Sequence, residues 1–440
     1  MRTTRIRLLA GGAVLAIAAT ACGGSSSGGG GGGGGGASGG TTTGVTSTTI
    51  SIGSTQPLSG PAAPGYSEIA PAAKAMFAYI NSLGGINGRK INYTYVDDGY
   101  NPTNTVSQTQ KLILNDKVFS IFNALGTPTH QKVIDSLNQQ KIPDLFVASG
   151  CLCWDNPSQH PMTFGWQVDY TREGKILGDY VKKNFAGKKI AYFAQADDFG
   201  TDGVKGLDME IPTSDVVARA TYQPGNINIA SQVAKLAKAD VIVSFSIPAY
   251  TALLKLNLLK ARANPQLVVS NVGSDPDTLI GLLEAFAKQG GATVKGSDLI
   301  QGIVTDSYMV TQADPSNSWI QLFKKVHDQY APKLPMDGNV QYGMAAAWTF
   351  AEAVAKAGKN LTRESLVKAV ESGLPPGFGI VPFAFSSSSH AGYTGAQIGI
   401  VKGTTIELTG QPQTTDDSPS TPLTPYTTAQ APAPSGVPTG

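Results

Sequence analysis

Apolar positions along the chain switch repeatedly between two spacings. At Ile50–Ser54 and Ile91–Val96 they fall on alternate residues, the period of a strand with one buried face. Between these stretches Ile69, Ala73, Met76, Phe77 and Ile80 recur at three- and four-residue intervals, which predicts a helix. Gly84 and Gly85 lie just past its end, where glycine tolerates the left-handed cap conformation, and Asn87-Gly88 supplies the next turn. Asp97, Asp98 and Asn101 follow the second strand, and Pro102 suits the first turn of another helix. Side-chain oxygens there can accept from free helix N–H groups, so the paired acids read as caps and loop organisers.

The alternation continues with a helix at Thr105–Leu114, a strand at Val118–Asn123, a helix at Gln131–Asn138 and a strand at Asp144–Val147. A second series runs from Glu173–Asn184 through Ile190–Ala194, Val216–Tyr222, Ile229–Leu236, Val241–Phe245 and Leu253–Ala261 to Leu267–Ser270. Repeated strand–helix–strand units imply an α/β fold with parallel sheets covered on both faces. Such sheets bind ligands outside the carboxyl ends of their strands. That directs attention to the loops after Ser54, Asn123, Val147, Ala194, Phe245 and Ser270.

Composition sharpens this. With 41% hydrophobic residues in 440, a sizeable core and two domains are expected. A net charge of +2, spread along the body, argues against a nucleic-acid partner. No apolar run reaches the roughly 18 residues a membrane span needs. Residues 1–21 read as an export signal: Arg2, Arg5 and Arg7 precede an apolar stretch, and small residues lead to Cys22. The arrangement resembles a lipoprotein signal, which implies lipidation of Cys22 and anchoring to the outer face of the cell membrane. Residues 22–47 are Gly/Ser-rich and predict a flexible tether, with a reach of roughly 25–30 Å. Residues 410–440, rich in Pro, Thr and Ser, predict a disordered tail. The body holds two cysteines, Cys151 and Cys153, which leaves open a local disulfide, a thiol pair or a soft-metal site. A structural zinc site needs four ligands, and no second pair exists, so no metal is expected.

Catalytic signatures are missing. His130, His160, His327 and His390 are far apart, and the chain has no H-E-x-x-H, G-x-S-x-G or G-x-x-x-x-G-K-[ST]. The glycines of "GGINGRK" follow a helix and not a strand, which misplaces them for phosphate. Neither an enzyme nor a cofactor is expected.

The ordered set "PLSG", "INSLGGINGRKI", "DDGYNP" and "KLILNDKVFSI" resembles the leucine/isoleucine/valine-binding type of periplasmic solute-binding protein. The similarity extends more loosely through "DYTREGKILGDYV", "KIAYFAQADDFGTDG" and "VQYGMAAAWTFAEAVAKAG". The resemblance implies the type I periplasmic-binding-protein fold: two parallel-sheet lobes, three crossover segments and a ligand cleft between. It places lobe 1 at residues 48–168 and 303–376, and lobe 2 at 169–302 and 377–409. It implies hinge closure on a small organic ligand, by family default a branched-chain or other amino acid, and delivery to the membrane subunits of an ABC importer. A ligand-sensing receptor on the same fold, binding a small amide or carboxylate, is the second class to weigh.

By the same resemblance, Thr127 would offer its hydroxyl to a ligand carboxylate, while Ser149, Gly150 and Cys151 would meet the head group. Cysteine stands at position 151 where relatives carry threonine. Phe199 would face the ligand, Tyr250 would wall the far side, and Tyr66 and Tyr342 would close the mouth. Asp275 is the nearest acid to the place where relatives put a glutamate, and it could also begin a helix.

Overall fold

The computed structural model describes residues 42–438. The export signal, Cys22 and most of the tether lie outside the described residues. The strands form two sheets. The first contains β1 (Thr49–Gln56), β2 (Lys90–Asp97), β3 (Ser120–Phe122), β4 (Asp144–Val147) and β5 (Thr163–Gly165), all parallel, in the order β2-β1-β3-β4-β5. The second begins with β6 (Ile190–Gln195), β7 (Val216–Tyr222), β8 (Val241–Phe245), β9 (Gln266–Val269) and β10 (Val304–Ser307). Its parallel part runs β7-β6-β8-β9-β10, the same winding as the first. An antiparallel edge follows: β11 (Gly395–Lys402) beside β10, then β12 (Thr405–Leu408), β13 (Gln413–Thr414) and β14 (Thr424–Pro425).

Local chemistry places the first loops. The helix Ile69–Ser82 ends where Gly85 donates to the Ile80 carbonyl at 3.0 Å, with Gly84 and Gly85 both at positive φ. Asn101 caps the helix Pro102–Leu114 by accepting from Thr103 N at 2.9 Å. Asp97 accepts from the Leu58, Ser59 and Gly99 amides, and Asp98 from the Tyr100 amide and the Thr105 hydroxyl. The two carboxylates fix the loop that delivers Tyr100 inward. The helix Gly338–Ala357 is mostly apolar and almost entirely buried. It lies so close to the Ile69–Ser82 helix that a Cβ on Gly343 would stand 2.2 Å from the Ile69 carbonyl.

The chain crosses between the sheets' sides three times. The first passage follows β5, through Trp166–Asp169. The family resemblance implies a return at Ile303, but Val304 still pairs with Val268 of β9, so the return comes after Ser307. The third passage runs through Gly379, which bridges Met309 of the second. The stretch after it, expected with the second lobe, first borders the first sheet. Phe385 packs on Phe146 and Phe164, and the His390 ring stacks on Phe164 at 3.6 Å.

Residues 411–438 are ordered against the body, contrary to the disorder their composition predicts. The Lys175 ammonium, fully buried, meets four oxygens at 2.7–2.9 Å: Thr415 Oγ1 and the carbonyls of Asp416, Ser418 and Thr421. Gln430 Nε2 donates to the Phe378 carbonyl and Trp319 Nε1 to that of Ala431, both at 2.8 Å. The tail holds through backbone carbonyls, a kind of partner that hydropathy does not register.

Candidate ligand-binding site

A cavity of about 150 Å³ lies between the lobes, lined from both sides at the strand ends. Its first-lobe wall starts at Gly126, whose φ of +111° turns the chain from β3 into the short helix Thr127–His130. Thr127, at the head of that helix, points its hydroxyl at Ser149 Oγ, 2.7 Å away. The Tyr170 hydroxyl faces both, so three hydroxyls converge. The Tyr170 ring packs against Phe199 of the second lobe with centroids 4.5 Å apart.

Thr127, Phe199, Asp275, Tyr66 and Tyr342 all line this cavity. Ser149, Gly150, Cys151 and Tyr250 stand outside its lining. Ser149 lies directly behind Thr127. Gly150 lets the first crossing approach, since a Cβ there would stand 2.6 Å from the Val168 carbonyl. Cys151 is joined to Cys153 by a disulfide, and the loop they close is held to the other lobe by Leu152 N, which donates to Asp202 at 2.9 Å. Tyr250 stacks on Tyr222 with centroids 3.8 Å apart. It supports the wall through a relay: Tyr222 donates to Gln195 Oε1 at 2.9 Å, and Gln195 Nε2 donates to Tyr100 at 3.2 Å.

The lobes touch around the cavity. Tyr66 donates to the Val272 carbonyl at 2.6 Å, Gln131 to Asp198 at 2.6 Å, and Asn339 to Thr278 at 3.1 Å. Asp275 accepts from Thr278 N at 2.9 Å, capping its own helix Pro276–Gln289, and from Gly338 N of the opposite lobe at 3.0 Å. Burial raises its carboxyl above the ordinary range. Beside it Asp337 is pushed up to about 9 by burial and by the charges of Asp275 and Glu68.

A second acidic pair lies deeper. Asn271 donates its amide N–H to Glu173 at 2.8 Å and to Asp306 at 3.2 Å, and its side-chain NH₂ reaches both carboxylates as well. Burial raises Asp306 to about 6 and Glu173 well above its usual value. Asp306 and Asn271 line the cavity, as do Gln167 and Gln341, two buried glutamines whose Nε2 atoms have no partner. Sequence reading missed these residues. Tyr100 lies within a stretch read as loop, and a single glutamine carries no periodic signal.

Residues 49–404 match the family model described as periplasmic binding protein. A Leu/Ile/Val-binding protein homolog of Brucella melitensis is 24% identical over 339 residues, which covers 74% of this chain and 84% of that one. Among solved structures, a branched-chain amino acid ABC transporter protein from Thermus thermophilus, with bound valine, superposes with a TM-score of 0.72 at 18% identity, covering 84% of this chain and 97% of that one. A fatty acid ABC transporter substrate-binding protein from Thermomonospora curvata gives 0.72 at 21% identity, covering 86% and 95%. The shared winding of the two sheets, the cleft between them and the match over most of the body place this chain in the periplasmic binding protein family, with the type I fold of the leucine/isoleucine/valine-binding type.

Proposed function

We propose that the protein captures a small polar organic solute between its lobes and hands it to the membrane subunits of an ABC importer, working outside the cytoplasm from a lipid on Cys22. The observation that carries this reading is the cavity itself. Its walls come from both lobes, and the bonds Tyr66–Val272, Gln131–Asp198 and Asp275–Gly338 join them around it. A volume of about 150 Å³ is that of a cavity known to hold benzene, which favours a short solute over a long acyl chain. The Thr127 and Tyr170 hydroxyls, which line the cavity, suit a carboxylate or amide head group, with Ser149 Oγ behind Thr127 orienting it. A micromolar affinity, about −8 kcal/mol, is within reach of a few such bonds and one buried aromatic contact.

The test is native mass spectrometry of the protein followed by a thermal-shift panel of amino acids, amides and short organic acids. A retained small mass, or a member of the panel that raises the melting temperature, is the expected result. Absence of both, with the protein folded, would sink the reading.

A further inference from the structure

The solute-binding reading leaves one face of the cavity unused. Its lining has four acidic side chains, Asp275, Asp277, Asp306 and Asp337, the last of them protonated at neutral pH, and no lysine, arginine or histidine. The N-terminus of the Gly338–Ala357 helix opens here and would by itself favour an anion. Its amides are already engaged, Gly338 N by Asp275 and Val340 N by Asp337 at 2.9 Å. Among the described residues no lysine, arginine or histidine pairs with the deeper acids, and both Glu173 and Asp306 accept from Asn271, a neutral donor. Glu173 is fully buried and its Oε2 has no partner.

Two further side chains point to a ligand independently of the acids. Gln341 and Gln167 are 3% and 7% exposed, line the cavity, and make no side-chain hydrogen bond. Buried carboxamides are ordinarily paired, and each unpaired one is costly. Nothing fixes their orientation, so either can turn its carbonyl oxygen inward. Tyr308 and Tyr342 flank the same face through Trp166, whose ring lies 5.9 and 4.9 Å from theirs.

We propose that Asp306, Gln341 and Gln167 form a second recognition site, which takes a protonated nitrogen of the ligand, as an amine, amidine or guanidine, in addition to whatever head group Thr127 holds. The inference rests on the solute-binding reading and narrows it to short organic cations or zwitterions with a distal nitrogen. Such a group would supply the positive charge that the lining lacks, satisfy the glutamine carbonyls, and lie near tyrosine faces that attract cations.

The experiment is calorimetric titration of the protein with two matched pairs that differ by one terminal amino group: L-ornithine against L-norvaline, and 5-aminopentanoate against pentanoate. The nitrogen-bearing member should bind roughly ten- to a hundred-fold tighter, the range of one or two charged hydrogen bonds. Gln341→Leu and Asp306→Asn should each collapse that ratio, by weakening the nitrogen-bearing member more than the aliphatic one. The glutamine variant breaks no side-chain hydrogen bond, so it tests the idea even where the aspartate variant folds poorly. Equal or tighter binding of the aliphatic members would overturn the second site and leave the solute-binding reading standing. A preference that survives both substitutions would overturn this placement of it. No binding of any of the four would count against both readings.

Discussion

The Asp275 carboxylate serves two helices in different lobes. One oxygen caps its own helix at Thr278, and the other accepts the Gly338 amide across the cleft at 3.0 Å. Asp275→Ala should therefore lower the melting temperature and loosen the lobes together. The lost cap and the unpaired Gly338 amide amount to about 1–3 kcal/mol. Denaturant melts of the variant would read this, and an unchanged midpoint would show that the bridge contributes nothing.

Asp337 predicts a pH dependence. Its carboxyl is raised to about 9, mainly by burial and then by Asp275, while an unfolded chain titrates it near 4. The groups facing it are Asp275 from the second lobe and Glu68 from the helix beside it, and Glu68 is raised too. Between roughly pH 4 and 9 the folded state holds a proton that the unfolded state has released. Stability is thus fully present at the acid end and is lost as pH rises towards 9. Asp337→Asn should flatten that slope in melts taken from pH 5 to 9.5. An equally steep slope in the variant would move the effect to another group, Glu352 first, which is raised to about 8.

Lys175 makes the tail testable. In the whole chain Lys175→Met should cost about 2–4 kcal/mol, because the carbonyls around the ammonium lose a charged donor. In a chain ending at Thr409 the same substitution should be nearly neutral. A double-mutant cycle measures the difference, and additive effects would mean that the tail does not lean on Lys175.

Gly126→Ala should impair ligand binding. A Cβ there would stand 2.4 Å from Thr129 Oγ1 and 2.6 Å from the Tyr100 ring, at a φ that alanine adopts only with strain. The shift would propagate to Thr127 on one side and to the Tyr100–Gln195 bond on the other. A thermal shift by ligand as large as that of the unmodified protein would contradict this.

How much of this was legible beforehand divides along physical lines. Strands such as β2 were legible because alternate residues face core and solvent, and the Ile69–Ser82 helix because its apolar face repeats. The return crossing was not, since Val304–Ser307 is short and buried, which leaves no alternation to read. The tail misled because its stability comes from carbonyls meeting Lys175, Gln430 and Trp319, and every residue type has a carbonyl. In the cavity, the loops carrying Thr127, Phe199 and Asp275 were reachable through their position after strands, and the residues themselves through the family resemblance. Gln167 and Gln341 were not, because their distinction is the absence of a partner, and only a three-dimensional arrangement reveals that.

The bonds around the cleft also set a clock. Tyr66–Val272, Gln131–Asp198 and Asn339–Thr278 hold the lobes together beside the cavity, and a wider mouth requires that they part. A solute's association rate constant is then scaled by the fraction of time the mouth is open, and its residence time by how often the mouth opens. At about 1 kcal/mol per bond, these contacts tune exchange over roughly a decade or two. A transporter fed by this protein would turn over at a rate written partly into side chains that never touch its cargo.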